Sequence, residues 1–184
     1  MDLKEALLKE HSKKQTQAIA DFIGNSQPRF DALMEIFFSK EKLLVQRSAW
    51  VMSYCNEAYP KLIQKHFKKL LKNLAQPILH DAVKRNTLKV IHDTIIPESL
   101  KGEVVAICFE YLYALNEAIA VKAYSINILV RICTEYPELK SELYPLLQEL
   151  QHSESPAILS CTRKGLAVLK KLKEKKQIEN KNYF

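Results

Sequence analysis

Apolar residues along this chain recur at three- and four-residue steps within segments of a few helical turns, and short polar stretches separate the segments. That period marks amphipathic helices with one buried face. Four segments open on proline: PRFDALMEIFF from Pro28, PKLIQKHFKKLLKNL from Pro60, PESLKGEVVAICFEYL from Pro97 and PELKSELYPLLQEL from Pro137. Proline has a suitable φ at the first helical position and loses no hydrogen bond there, so each predicts the start of a first helix. A turn (SKEK, AQP, ALNE, QHSESP) follows each, and then a second helix. The second helices align without gaps as VQRSAWVMSYC from Val45, VKRNTLKVIHD from Val83, VKAYSINILVR from Val121 and CTRKGLAVLKK from Cys161, with starts 38, 38 and 40 residues apart.

Down this alignment the first column is Val45, Val83, Val121 and Cys161, and four residues later it is Ala49, Thr87, Ser125 and Gly165. Every member of the second column is small. Positions i and i+4 share a helix face, so a bulky residue followed by a small one marks a place where a neighbouring axis approaches closely. The columns Trp50, Leu88, Ile126, Leu166 and Met52, Val90, Ile128, Val168 widen the apolar face, and Trp50 is expected to be largely packed. One helix pair cannot bury such a face alone, and stacking copies completes the core. The fold class is therefore all-α, an array of about four helix pairs. Two capping helices are expected over residues 1–27, from Leu3 to Lys9 and from Ser12 to Asn25. The repeats follow over 28–172, divided as 28–58, 60–96, 97–136 and 137–172. The apolar period fades from Lys170, and a charged, frayed tail is expected over 173–184.

A proline-led helix, a short turn, and a second helix carrying Val, a basic or polar residue and then a small one resembles the HEAT repeat. Val45, Arg47 and Ala49 carry the pattern, as do Val83, Lys84 and Thr87, and Val121, Lys122 and Ser125. The Trp, Leu-Gly and Tyr signature of tetratricopeptide repeats is absent. The resemblance implies an α-α superhelix, or solenoid, whose second helices line a concave surface. At roughly 100° per residue, positions two, six and nine after the first column point away from the core. They read Arg47, Val51, Tyr54, then Arg85, Lys89, His92, then Ala123, Asn127, Val130, then Arg163, Ala167, Lys170. Of these, Arg47, Tyr54, Arg85, Lys89, His92, Asn127, Arg163 and Lys170 are the candidate binding residues. Guanidinium groups give planar bidentate contacts and rings add apolar area, which suits an acidic peptide, a phosphate or a partner helix. An exposed helix face is also, by default, simply solvated.

Composition excludes several classes. Three Gly and seven Pro among 184 residues, with 47% hydrophobic residues, argue against disorder and against a turn-rich β fold. The N-terminal MDLKEALLKEHSKKQ alternates charge with Leu and lacks a secretory h-region, which predicts a cytoplasmic protein. No apolar run reaches the length of a membrane span. The net charge of +7 is unevenly spread, at −1 over residues 1–39, +8 over 40–92, −6 over 93–162 and +6 over 163–184. A surface that tracks a duplex needs a continuous basic stripe, so this bipolar pattern suits a protein partner at least as well. The densest basic run, Lys61 to Lys72, falls on a first helix, the convex side under the resemblance.

No catalytic constellation emerges, and no cofactor or metal is expected. Cys55, Cys108, Cys133 and Cys161 are scattered among apolar or small residues without ligand spacing, and read as buried thiols. Gly24, Gly102 and Gly165 are isolated, so no phosphate-binding loop exists. The pairs His80-Asp81 and His92-Asp93 do not converge on one ion when placed on a single helix. HEAT-like DNA glycosylases, relatives under the resemblance, use aromatic residues with a carboxylate, and no Trp and Asp cluster is available here. The reading is a non-enzymatic HEAT-like scaffold or adaptor for a protein or peptide partner. The alternative is a nucleic-acid-binding protein related to the HEAT-like alkylation repair proteins, resting on the +8 block and the basic C-terminus.

Overall fold

The computed structural model describes the backbone of residues 1–181 and the side chains of residues 1–172, and all regular structure among the described residues is helical. The chain divides into two compact units, residues 1–103 and the remainder from Val104.

The first unit begins with α1, Leu3–Lys9, capped by the Asp2 carboxylate, which accepts from the Glu5 N–H. Then comes α2, Lys13–Ile23, whose N-cap Ser12 Oγ accepts from the Gln15 N–H and whose end is turned by Gly24 at φ 51°. A short side-chain acceptor at the N-cap satisfies one of the orphan donors of a helix start, and glycine adopts the left-handed conformation without strain. Next are α3, Gln27–Phe37, α4, Lys42–Ala58, α5, Phe67–Leu74, and α6, Asp81–Asp93. Helix α4 is the hub, packing against α1, α2, α3 and α6. Ile19, Ile23, Phe30, Leu33, Met34, Phe37, Met52 and Ile63 are buried around it.

The second unit contains most of α7, Lys101–Tyr113, followed by α8, Ile119–Glu135, α9, Lys140–Glu149, and α10, Pro156–Lys181. Helix α10 packs on α8 and α9. The charged tail expected over 173–184 lies outside the residues whose side chains are described.

The column of small residues does what its size suggests. Ala49, Thr87 and Ser125 are fully buried, and a Cβ at Gly165 would sit 2.8 Å from Val130 Cγ2 and 3.0 Å from Leu147 Cδ1. Of the two wider columns, Leu88, Val90, Ile126, Ile128, Met52 and Leu166 are buried.

Four expectations need correction. The helix expected from Pro60 begins only at Phe67, because the chain first turns through three-residue bonds, His66 N–H to Ile63 O at 2.9 Å among them. That tight turn drives Leu62 and Ile63 into the core, and Asp31 of α3 pins it by contacts to Lys65 and His66, each at 2.6 Å. Val51, expected on the outward face, is 1% exposed, because α4 has helices packed on more than one side. Trp50 is only half-buried, and Val168 is exposed.

Candidate functional site

Helices α4 and α6 of the first unit carry a groove of about 340 Å3, lined by His11, Leu43, Gln46, Arg47, Trp50, His80, Ala82, Arg85 and Asn86. Trp50 stands in it with its ring held edge-on by two others. His11, in the link from α1 to α2, lies 5.1 Å from its centroid at 61°, and Tyr54, one turn on, lies 6.1 Å away at 87°. The larger indole is only half-buried, where Leu88, Ile126 and Leu166 at the equivalent positions are covered.

From α6 the groove receives Arg85, which is exposed and has no hydrogen bond or ion pair among the described residues. Asn86 is buried and donates to the Ala82 carbonyl at 2.8 Å, back along its own helix. His80 occupies the N-cap of α6, where its Nδ1 accepts from the Ala82 N–H at 3.1 Å. A cation, an indole edge and two imidazoles form a surface that can receive an acidic or planar group.

Arg47 has a different task. Its Nη1 donates to the Leu7 carbonyl at 2.6 Å and the Leu8 carbonyl at 2.9 Å, so it satisfies the C-terminal carbonyls of α1 and ties that helix to α4. Further along α6, Lys89 contacts Asp93 at 2.7 Å and Glu57 at 3.6 Å, and His92 Nδ1 lies 2.7 Å from Asp93 Oδ1. These contacts to Lys89 and His92 hold the Asp93 carboxyl below its ordinary range even though burial opposes them. Candidate residues Arg85 and Tyr54 thus adjoin Trp50, while Lys89 and His92 belong to an ion-pair cluster at the end of α6. In the second unit Asn127 is half-buried, and Arg163 and Lys170 are exposed on α10, with Arg163 Nε donating to the Leu159 carbonyl at 3.3 Å.

His11, Gln46, Trp50, His80 and Asn86 were not among the sequence candidates. Trp50 was assigned to the core by its column, and His11 enters from a link that the periodicity leaves blank.

Three of the four thiols are buried packing groups, while Cys161, expected to be buried, is partly exposed. Burial pushes Cys55 and Cys108 up to about 12 and Cys133 to about 11. Among the described residues no three His, Cys, Asp or Glu side chains sit together as a metal site, and no helix is long and apolar enough to cross a membrane.

The family model described as a HEAT repeat domain matches residues 3–172. No curated protein and no solved structure matches the chain.

Proposed function

Because the chain belongs to the HEAT repeat family, we propose that it is a non-enzymatic adaptor that binds a protein partner across the exposed face of α4 and α6, with Arg85 and Trp50 as the principal contacts. The observation that carries this reading is an exposed arginine, unpaired among the described residues, lining the same groove as a half-buried tryptophan. Arginine, tryptophan and tyrosine are the residues in which binding energy concentrates at protein interfaces. Tyr54 extends the apolar contact. In the second unit Asn127, Arg163 and Lys170 remain candidate contacts.

The test compares the wild-type chain with Trp50→Ala/Arg85→Glu, both expressed with a tag in the native host. A partner recovered by the wild type and lost by a folded double variant supports the reading. The purified pair should then bind in solution, with a shift in the emission of Trp50, the chain's single tryptophan. A partner retained by the double variant refutes the assigned face.

The second reading is nucleic-acid binding, favoured by the +8 charge of residues 40–92. It requires an affinity for duplex DNA that falls steeply with salt, since each neutralised phosphate releases counterions. A shallow salt dependence eliminates it.

A further inference from the structure

A second cavity of the first unit, about 530 Å3, opens between the α3–α4 turn and the loop that joins α5 to α6. Phe37, Val45 and Val83 give it an apolar wall, while Lys40, Lys42 and the almost fully exposed Ile78 stand among its lining. Asn73 lines it too. The residue is 9% exposed, its Oδ1 accepts a 2.9 Å bond from Gln76 Nε2, and its Nδ2 is covered and has no hydrogen-bond partner among the described residues. A buried unpaired donor costs free energy, so a turn of the amide that brings Nδ2 to an acceptor in the cavity gains a bond at little desolvation cost.

The charges around the cavity fix the sign of that acceptor. Two lysines line it within a stretch that carries +8 overall. Of the acids next to lining residues in the sequence, Glu41 is paired with Lys4 at 3.0 Å, and Asp81 sits in the first turn of α6, where the helix dipole offsets part of its charge. A nucleic-acid backbone would use the lysines but not the apolar wall or Ile78. A volume of this size takes a few side chains.

We propose that this cavity docks an acidic peptide segment of a partner protein, with a Glu or Asp side-chain carboxylate taken by Asn73 Nδ2 and the Lys40 and Lys42 ammonium groups, and an adjoining bulky apolar side chain seated on the wall. The proposal shares the reading of the chain as protein-binding, but it uses neither Arg85 nor Trp50, so the two fail separately.

The probe is a fluorescein-labelled, C-terminally amidated hexapeptide in which a Leu-Phe pair is flanked by two glutamates. It is titrated against the full chain by anisotropy, with the Asn73 side-chain amide followed by nitrogen-15 NMR. Saturable binding is expected to move the Asn73 resonance and to weaken at least about tenfold when both glutamates are replaced by glutamine. Asn73→Leu, which removes the unpaired donor without needing a new partner, should weaken it similarly, as should Lys40→Gln/Lys42→Gln. Trp50→Ala/Arg85→Glu should leave it unchanged.

Absence of saturable binding, equal affinity for the glutamine peptide, or an unmoved Asn73 resonance would overturn the proposal. So would a glutamine peptide with a free C-terminal carboxylate that binds as tightly, or a DNA duplex whose binding shows the same dependence on Asn73.

Discussion

Gly165 of α10 lies so near Val130 of α8 that a Cβ added to it would be 2.8 Å from Val130 Cγ2. Valine is stiff at χ1 and cannot swing its methyl aside cheaply. Gly165→Leu should therefore destabilise the protein by roughly 1–3 kcal/mol through overpacking. Gly165→Ala should also lose stability, although alanine favours a helix over glycine by up to about 1 kcal/mol. Adding Val130→Ala to Gly165→Ala should return part of the loss, read by urea denaturation. Equal midpoints for wild type and Gly165→Leu would show that the helices do not meet at this position.

Asp31 should make folding acid-sensitive. Its carboxylate receives Lys65 Nζ at 2.6 Å and the Gln27 amide at 2.8 Å, with His66 Nε2 2.6 Å away, and these bonds hold it well below the usual carboxylate range against the opposing effect of burial. A carboxyl with a depressed folded pKa and an ordinary unfolded value of about 3.9 stabilises the fold above that value, and the contribution disappears as pH falls further. Stability should thus decline below about pH 4. Asp31→Asn should be less stable at neutral pH and should flatten that acid limb, as followed by denaturation midpoints across pH. An acid limb of undiminished slope in Asp31→Asn would place the sensitivity elsewhere.

Arg47 and Arg85 look alike in sequence and should behave oppositely. Arg47→Met keeps an apolar stem but loses two charge-assisted bonds to the Leu7 and Leu8 carbonyls, a cost of about 1.5–3 kcal/mol. It should lower the melting temperature and speed amide exchange in α1. Arg85→Met should change neither. Protected α1 amides in Arg47→Met would mean that the tie to α4 is dispensable.

The cysteines should differ in reactivity. Cys55, Cys108 and Cys133 are buried with raised thiol pKa values, whereas Cys161 is partly exposed. A thiol reagent at mildly alkaline pH should modify one cysteine per native chain, Cys161, and four in denaturant. Rapid native labelling of Cys133 would contradict its burial.

The gap-free second helices are legible in the sequence because bulk and smallness recur at one spacing, and Ala49, Thr87, Ser125 and Gly165 each occupy the tight position that spacing implies. Other features depend on what surrounds a helix. Val51 and Arg85 occupy outward columns alike, yet only Val51 is covered, because α4 has the N-terminal helices on its flank. The late start of α5 follows from Asp31 reaching over thirty residues along the chain to Lys65 and His66. Arg47 and Arg85 were found by face, but face alone cannot separate a guanidinium that holds two carbonyls from one that faces solvent. The place of His11 and His80 in the groove is not legible in the sequence, because neither a linker residue nor an imidazole cap has a periodic signature, and His80 stands out there only as one half of a His-Asp pair.

The imidazole at the head of α6 has a consequence for what the adjoining surface can offer. His80 caps the helix by accepting at Nδ1, which fixes the neutral ring in the tautomer with its proton on Nε2. His80, which with Gln46 lines the two cavities described above, is thereby preset as an N–H donor. Recognition at this point favours groups that accept from Nε2, because a ligand that needed Nδ1 would compete with the first turn of α6 for its cap.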